Sequence, residues 1–173
     1  MIFAESIALG PILPVDLPTL FQWADNPDTA QFNEPYHPPN WQRQEAFWLN
    51  TEEDRSRVFF AIRSRETTDI VGYVQIMQIH AIHRSAVLGV LIGHPRDRGK
   101  GKGREALGLA VRYCWSHLNL SRLALSVFAG NDRALGLYKA LGFREEGRLH
   151  HAYFIDGRWT DVILMGLLRP DRA

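Results

Sequence analysis

The sequence predicts an α/β (α+β) protein in which about four helices pack on a mixed central sheet of about seven strands. Strand-like and helix-like hydrophobic patterns alternate along the chain, one β-helix-β-helix run implies a parallel strand pair, and a hairpin closes the chain. With 173 residues, 46% of them apolar and 23% charged, the chain has the size and composition of one globular domain, residues 1–173.

The first fifty-five residues predict one strand followed by mainly helical structure. Residues 2–12 read as a strand, after which Asp16 is placed to cap a short helix that continues through Trp23. A polar, proline-bearing loop covers 26–40, and a second helix covers 42–50.

The middle of the chain predicts three strands in succession. Residues 57–64 and 70–79 are apolar runs separated by Glu66-Thr67-Thr68-Asp69, a turn-forming sequence, so they predict a hairpin. Residues 85–92 form a fourth strand that is apolar enough to be buried on both faces.

The last elements are predicted from periodicity and turn chemistry. In order they are a helix over 103–118, a strand over 122–127, a helix over 131–141 ended by Gly142, and strands over 143–155 and 158–167. Asp156-Gly157 between the last two strands favours a type I′ turn, which needs positive φ at both positions.

Composition narrows the classes of function. Twenty Lys and Arg against nineteen Asp and Glu leave a net charge of +1, which disfavours nucleic acid as a partner. No window of about 18 residues lacks charge and proline, so a membrane-spanning helix is not expected. Cys114 is the only cysteine, and the N-terminus lacks a basic signal-peptide region, so we expect a cytoplasmic protein without disulfides.

The segment from Gly93 to Arg104 has the composition of an anion-binding loop. It follows the buried strand and precedes a helix, and it holds five of the twenty basic residues together with three further glycines. Glycines allow close backbone approach to a phosphate, and the helix N-terminus adds positive potential. The Walker pattern fails, because His94 and Arg96 stand where its first glycine would be.

Two other templates match this loop. Gly101-x-Gly103-x-x-Ala106 satisfies the dinucleotide fingerprint, but no acidic residue follows near position 126 to bind a ribose. Arg98-x-x-Gly101-x-Gly103, followed by Asn131-x-x-Ala134-x-x-x-Tyr138-x-x-x-Gly142-Phe143, resembles the GNAT superfamily of acetyl-CoA-dependent N-acetyltransferases. The resemblance covers most of the chain. Within the superfamily, the sequence is similar to the ribosomal-protein-alanine and small-amine acetyltransferase branch.

The resemblance implies the GNAT fold, with 85–143 as the acetyl-CoA-binding core. It implies that the pyrophosphate of the donor is held by the backbone amides of Arg98, Gly99, Lys100, Gly101, Lys102 and Gly103. It also implies that Leu91, Ile92 and Gly93 pair with the pantetheine amides, that Asn131 binds near the pantetheine arm, and that Tyr138 protonates the departing thiolate. Positions 131, 134 and 138 share one helix stripe, so Asn131 and Tyr138 can face one cleft.

The acceptor side is predicted from residues 1–55. Related enzymes often carry a glutamate on the fourth strand, whereas this chain has Ser85-Ala86-Val87-Leu88-Gly89. We therefore place Glu34 in the acceptor loop as an amine-binding carboxylate or a base acting through water, with Tyr36 as a second substrate-binding residue. The aromatic residues concentrated here are candidates for a pocket wall, namely Trp23, Phe32, Tyr36, Trp41, Phe47 and Trp48.

The sequence thus predicts an N-acetyltransferase that moves acetyl from acetyl-CoA to a primary amine of a small molecule or a peptide N-terminus by direct attack. The alternatives are an acetyl-CoA sensor of the same fold without turnover and an NAD-binding oxidoreductase. The pairs His80/His83 and His150/His151 lack convergent acid or thiol partners, so no metal site is predicted. A homodimer is expected from the resemblance alone.

Overall fold

A computed structural model describes residues 1–30, 35–50 and 54–170 and contains one eight-stranded sheet with order β1-β2-β3-β4-β5-β6-β8-β7. The strands are β1 (Ile2–Phe3), β2 (Ile7–Gly10), β3 (Val58–Ser64), β4 (Ile70–His80), β5 (Ser85–Ile92), β6 (Arg122–Phe128), β7 (Arg144–Ile155) and β8 (Arg158–Leu168). The helices are α1 (Leu17–Ala24), α2 (Pro27–Ala30), α3 (Trp41–Leu49), α4 (Lys102–Ser116) and α5 (Asp132–Ala140).

The mixed sheet is confirmed, with one more strand and one more helix than predicted. The predicted strand over 2–12 is two strands, because the chain turns at Glu5-Ser6 and β1 pairs antiparallel with β2. The extra helix, α2, lies inside the predicted loop, where Pro27 supplies a helical φ at the first position.

Asp16 does not cap α1 as predicted. Its carboxylate instead accepts the Leu13 amide at 2.8 Å and pairs with both Nη atoms of Arg63 on β3. The pair is largely buried, so the two donors of Arg63 and the Leu13 amide satisfy what would otherwise be a costly buried anion. Asp16 therefore fastens the start of α1 to the sheet.

All neighbouring strands are antiparallel except β5 and β6, which are parallel and are connected through α4. Strands β7 and β8 form the predicted hairpin at the end of the sheet. Its turn residues, Asp156 and Gly157, have φ of 48° and 75°, as a type I′ turn requires. Gly142 has φ of 92°, as expected for a glycine that ends a helix.

The sheet is covered on both faces by separate apolar clusters. On one face, α4 and α5 pack on Ile62, Val74 and Leu88. On the other face, α1 and α3 pack on Phe59 and Leu91. Leu88 and Leu91 of β5, which are an odd number of positions apart, thus lie on opposite faces of the sheet, as the period of two in a strand requires. No helix of the described residues is long and apolar enough to span a membrane.

Candidate active site

The parallel strands β5 and β6 separate at the middle of the sheet. Their register pairs Ser85 with Arg122, Ala86 with Leu123 and Val87 with Ala124. Residues 88–92 have no partner on β6 in the part of the chain that the structure describes. A cleft of about 350 Å³ opens there, between β5, β6, the glycine loop and α5.

Backbone groups of β5 line this cleft. The Gly93 amide donates to the Val71 carbonyl of β4, so by strand alternation the amides and carbonyls of Val90 and Ile92 point away from β4 and toward the cleft. Of the predicted segment 91–93, Ile92 therefore presents backbone groups to the cleft, while those of Leu91 and the amide of Gly93 face β4. Val90 is an addition that the sequence alone did not reveal.

The glycine loop takes a conformation that favours glycine at two positions. Gly99 and Gly101 have φ of 79° and 80°, and Gly101 is the N-cap of α4. No heavy atom lies within 4 Å of where a Gly101 Cβ would stand, so its backbone faces open space. A Gly103 Cβ would make ordinary contacts, at 3.7 Å, with Ile92 and Leu137.

Two cationic side chains of the loop, Lys102 and Arg98, form hydrogen bonds within the protein. Lys102 Nζ donates to the buried Asp97 carboxylate at 2.6 Å. Burial acts to raise the pKa of Asp97, but the Lys102 hydrogen bond and the charges of Lys102, Arg96 and Lys100 outweigh it and hold the pKa below its ordinary value. The guanidinium of Arg98 donates to the Ile92 carbonyl at 3.0 Å and to the Gly93 carbonyl at 2.8 Å.

Helix α5 brings Asn131 and Tyr138 to the same cleft. The Asn131 side-chain oxygen caps the helix by accepting the Ala134 amide at 3.2 Å. Tyr138 lies two helical turns further on and is 9% exposed, with its ring against Phe143. Burial raises the pKa of Tyr138, so its hydroxyl keeps its proton at neutral pH.

A second cavity of about 620 Å³ lies on the opposite side of β5, between α1, α2, α3 and the proline-bearing loop. Leu91 lines both this cavity and the cleft. Trp23 lines it too, and its ring lies so close to Gly93 that a Cβ there would be 2.0 Å from the indole. Leu91 is therefore the residue that the two cavities share, and Trp23 lies beside it on the side of the second cavity.

The aromatic candidates divide between this cavity and the surface. Trp23, Phe47 and Trp48 line it, together with Tyr73 from β4. Trp41 instead packs on Phe21, and Phe32 lies outside the described residues.

The two predicted acceptor-binding residues are placed differently. The Tyr36 hydroxyl donates to Asp25 at 2.9 Å, and its side chain lines a separate pocket beside Phe154 and Asp156 at the tip of the β7–β8 hairpin. Glu34 lies outside the described residues, so its role stays a prediction. Across residues 1–30, 35–50 and 54–170, no group of three His, Cys, Asp or Glu side chains is placed to hold a metal ion.

The profile of the acetyltransferase (GNAT) domain family matches residues 7–144. The chain belongs to this family. It is 33% identical to the spermidine N(1)-acetyltransferase of Vibrio cholerae over 138 residues, which are 80% of this chain and 78% of that protein. It is 31% identical to the Escherichia coli K12 enzyme of the same name over 94% of this chain and 86% of that protein.

A solved structure and a further sequence relative agree with this assignment. The crystal structure of spermidine N-acetyltransferase from Vibrio cholerae in complex with CoA and spermine superposes with a TM-score of 0.86 at 30% identity, covering 94% of this chain and 95% of that one. In sequence, the chain is 28% identical to the [ribosomal protein uS5]-alanine N-acetyltransferase of Escherichia coli K12 over 78% of this chain and 70% of that protein. The protein is thus a GNAT N-acetyltransferase that uses acetyl-CoA, and the NAD-binding alternative is wrong.

Several residues that line the GNAT cleft were not singled out as site residues from the sequence, namely Asp97, Ser126, Val127, Arg133 and Leu137. Arg133 carried a usable signal, since it adds a cation to the first turn of the helix that Asn131 begins. Ser126 and Val127 carried none, because they reach the cleft only where β6 diverges from β5.

Proposed function

We propose that this GNAT enzyme acetylates a primary amine of a polyamine or a closely related small amine, with the 350 Å³ cleft as the donor site and the 620 Å³ cavity as the acceptor site. The observation that carries the proposal is the meeting of these two cavities at Leu91. An acetyl group in the 350 Å³ cleft and an amine in the 620 Å³ cavity would be separated only by Leu91.

Donor binding is assigned to backbone groups. The amides of residues 99–103 point their positive ends at the pyrophosphate, helped by the N-terminus of α4, and the open space beside Gly101 admits it. The Arg98 amide, predicted to join them, instead donates to the Pro95 carbonyl at 3.1 Å. The amide and carbonyl of Val90 and the amide of Ile92, which face the cleft, pair with the pantetheine amides, whereas the Ile92 carbonyl already accepts from Arg98. The Asn131 side-chain amide adds a further donor, because its oxygen is already used by the helix cap.

The reaction is direct transfer. The neutral amine attacks the thioester carbonyl, a C–N bond forms, and the C–S bond breaks as the thiolate leaves. The Tyr138 hydroxyl donates its proton to that sulfur, which it is able to do because burial keeps the phenol protonated. The proton lost by the amine passes to a carboxylate or water, for which Glu34 remains our candidate, and solvent returns a proton to Tyr138.

The acceptor cavity supports an elongated, cationic amine through aromatic faces. The Trp48 ring packs on Tyr73 at 4.7 Å and on Phe47 at 4.9 Å between centroids, and all three aromatic residues line the cavity. Ammonium groups bind such faces favourably. No carboxylate of the described residues lines the cavity. Counter-charge for the distal ammonium groups is therefore assigned to the acceptor loop that contains Glu34.

A peptide N-terminus is the second candidate acceptor, supported by the ribosomal-protein relative alone. A homo-oligomer is also proposed, since a relative with a TM-score of 0.79 at 27% identity was solved as a dodecamer. A cytoplasmic location stays a prediction.

The test is turnover with a panel of amines. Purified protein is incubated with acetyl-CoA and spermidine, spermine, putrescine, an aminoglycoside or an alanine-terminated peptide, and thiol release and product mass are measured. We expect monoacetylated spermidine or spermine. Saturable CoA binding without thiol release for every acceptor would contradict the proposal and favour a sensor, and acetylation of the peptide alone would move the acceptor class to protein N-termini.

A further inference from the structure

The Arg98 side chain connects the donor cleft to the acceptor cavity. Arg98 lines the cleft, but its guanidinium turns away from the loop and donates to the carbonyls of Ile92 and Gly93. Its Nη2 also lies 3.4 Å from the hydroxyl oxygen of Thr29 on α2. Thr29 is 3% exposed and lines the acceptor cavity.

Charge supports the same connection. Burial and the charge of Arg133 lower the pKa of Arg98, whereas the charge of Asp28, the α2 neighbour of Thr29, acts to raise it. Two consecutive residues of α2 therefore interact with one guanidinium. Because α2 has only four residues, its own backbone hydrogen bonds contribute little to holding it in place.

We propose that Arg98 is a positioning residue for the acceptor amine. Its side chain holds α2 against the end of β5 by contacting Thr29 on one side and the Ile92 and Gly93 carbonyls on the other, directly before the loop assigned to the donor pyrophosphate. The amine and the thioester therefore meet in one fixed geometry. This inference rests on the proposed function for the identity of the two cavities. It does not depend on which amine is acetylated.

Thr29 offers matched variants for the test. Thr29→Val keeps the shape of the side chain and removes the hydroxyl, whereas Thr29→Ser keeps the hydroxyl. With the best acceptor of the wild type, we expect Thr29→Val to raise the amine KM about two- to tenfold, the effect of losing one hydrogen bond. The acetyl-CoA KM should stay within about twofold, and Thr29→Ser should restore the amine KM.

A double-mutant cycle separates positioning from direct contact between Thr29 and the amine. Arg98→Gln should raise both KM values, and adding Thr29→Val should raise the amine KM no further, because the bond is already lost. If Arg98→Gln does not fold, Arg98→Lys replaces it, since one ammonium cannot reach the carbonyls and Thr29 together. An amine KM unchanged by Thr29→Val, or two effects that multiply in the double variant, would overturn the inference.

A second readout is independent of turnover. CoA binding should protect the backbone amides of α2 from hydrogen exchange in the wild type and in Thr29→Ser, and should leave them less protected in Thr29→Val. If no amine in the panel is acetylated, the proposed function fails, and equal protection in all three proteins would then overturn the positioning role separately.

Discussion

The proposed donor and acceptor sides of this enzyme are built from different kinds of sequence. The donor side is continuous in sequence from β5 to α5, and its loop geometry follows from glycines with positive φ and from local caps. The acceptor side joins α1, α2 and α3 to β4 and β5, which are far apart in the chain. Cofactor recognition is therefore encoded locally, whereas acceptor recognition depends on tertiary packing, which allows acceptors to diverge while the donor is kept.

The largest effect is expected at the chemical step, on the donor side. Tyr138→Phe should lower kcat by about 100- to 10,000-fold, the range for losing a general acid, with little change in acetyl-CoA affinity. Steady-state thiol release and CoA titration give the two quantities. An unaltered kcat would show that Tyr138 is not the general acid. The donor side would then contribute binding of acetyl-CoA alone.

The next effect tests whether loop conformation governs donor binding. Gly101→Val places a β-branched residue at φ of 80°, a strain of about 1–2 kcal/mol, and adds methyl groups where the backbone faces open space. We expect CoA to bind at least about tenfold more weakly, as measured by calorimetry. Gly103→Ala is the control, because its Cβ makes ordinary contacts within a helix, and equal losses in both variants would argue against the conformational explanation.

A third prediction concerns stability on the donor side. Asp97→Asn should destabilise the fold by about 1.5–3 kcal/mol at neutral pH, because Lys102 loses a buried charged partner. The pKa of Asp97 is depressed in the fold, so its contribution is present above the unfolded value of about 3.9 and is lost as pH falls through the folded value. Urea unfolding of both proteins from pH 7 to pH 3 should show the difference shrinking with acid, and a constant difference would contradict this.

The smallest effect is expected on the acceptor side. Tyr36→Phe removes a hydrogen bond to Asp25 that is exposed to water, so the amine KM should change by less than about threefold. Comparing it with Trp48→Phe, which alters a ring that lines the cavity, measures how far the acceptor site extends. A loss of tenfold or more in Tyr36→Phe would place the amine in the pocket beside Phe154 instead.

Sequence reasoning succeeded where structure depends on local chemistry. The Asp156-Gly157 turn, the Gly142 helix end, the strand over 85–92 and the glycine loop were all predicted, since each depends on a few adjacent residues. The family followed from motifs within one continuous segment, and the comparisons confirmed it.

The failures share a dependence on distant partners. Its position in the sequence predicts that Asp16 caps a helix, but its carboxylate forms an ion pair with Arg63, which is 47 residues away. The Thr29 contact exists because α2 lies beside Arg98 in the loop after β5, and no spacing rule brings positions 29 and 98 together. Val90 becomes visible as a cleft residue only when the β4 register is known.

The contact between Gly93 and Trp23 also constrains how this enzyme can evolve. Any other residue at position 93 would put its Cβ 2.0 to 2.4 Å from three atoms of the indole ring, so Gly93 can change only if the Trp23 ring moves or a smaller residue replaces it. Substitutions at these two positions are therefore epistatic. Among homologues they should covary, and a lineage that remodels its amine pocket at position 23 gains freedom at the neighbouring strand end.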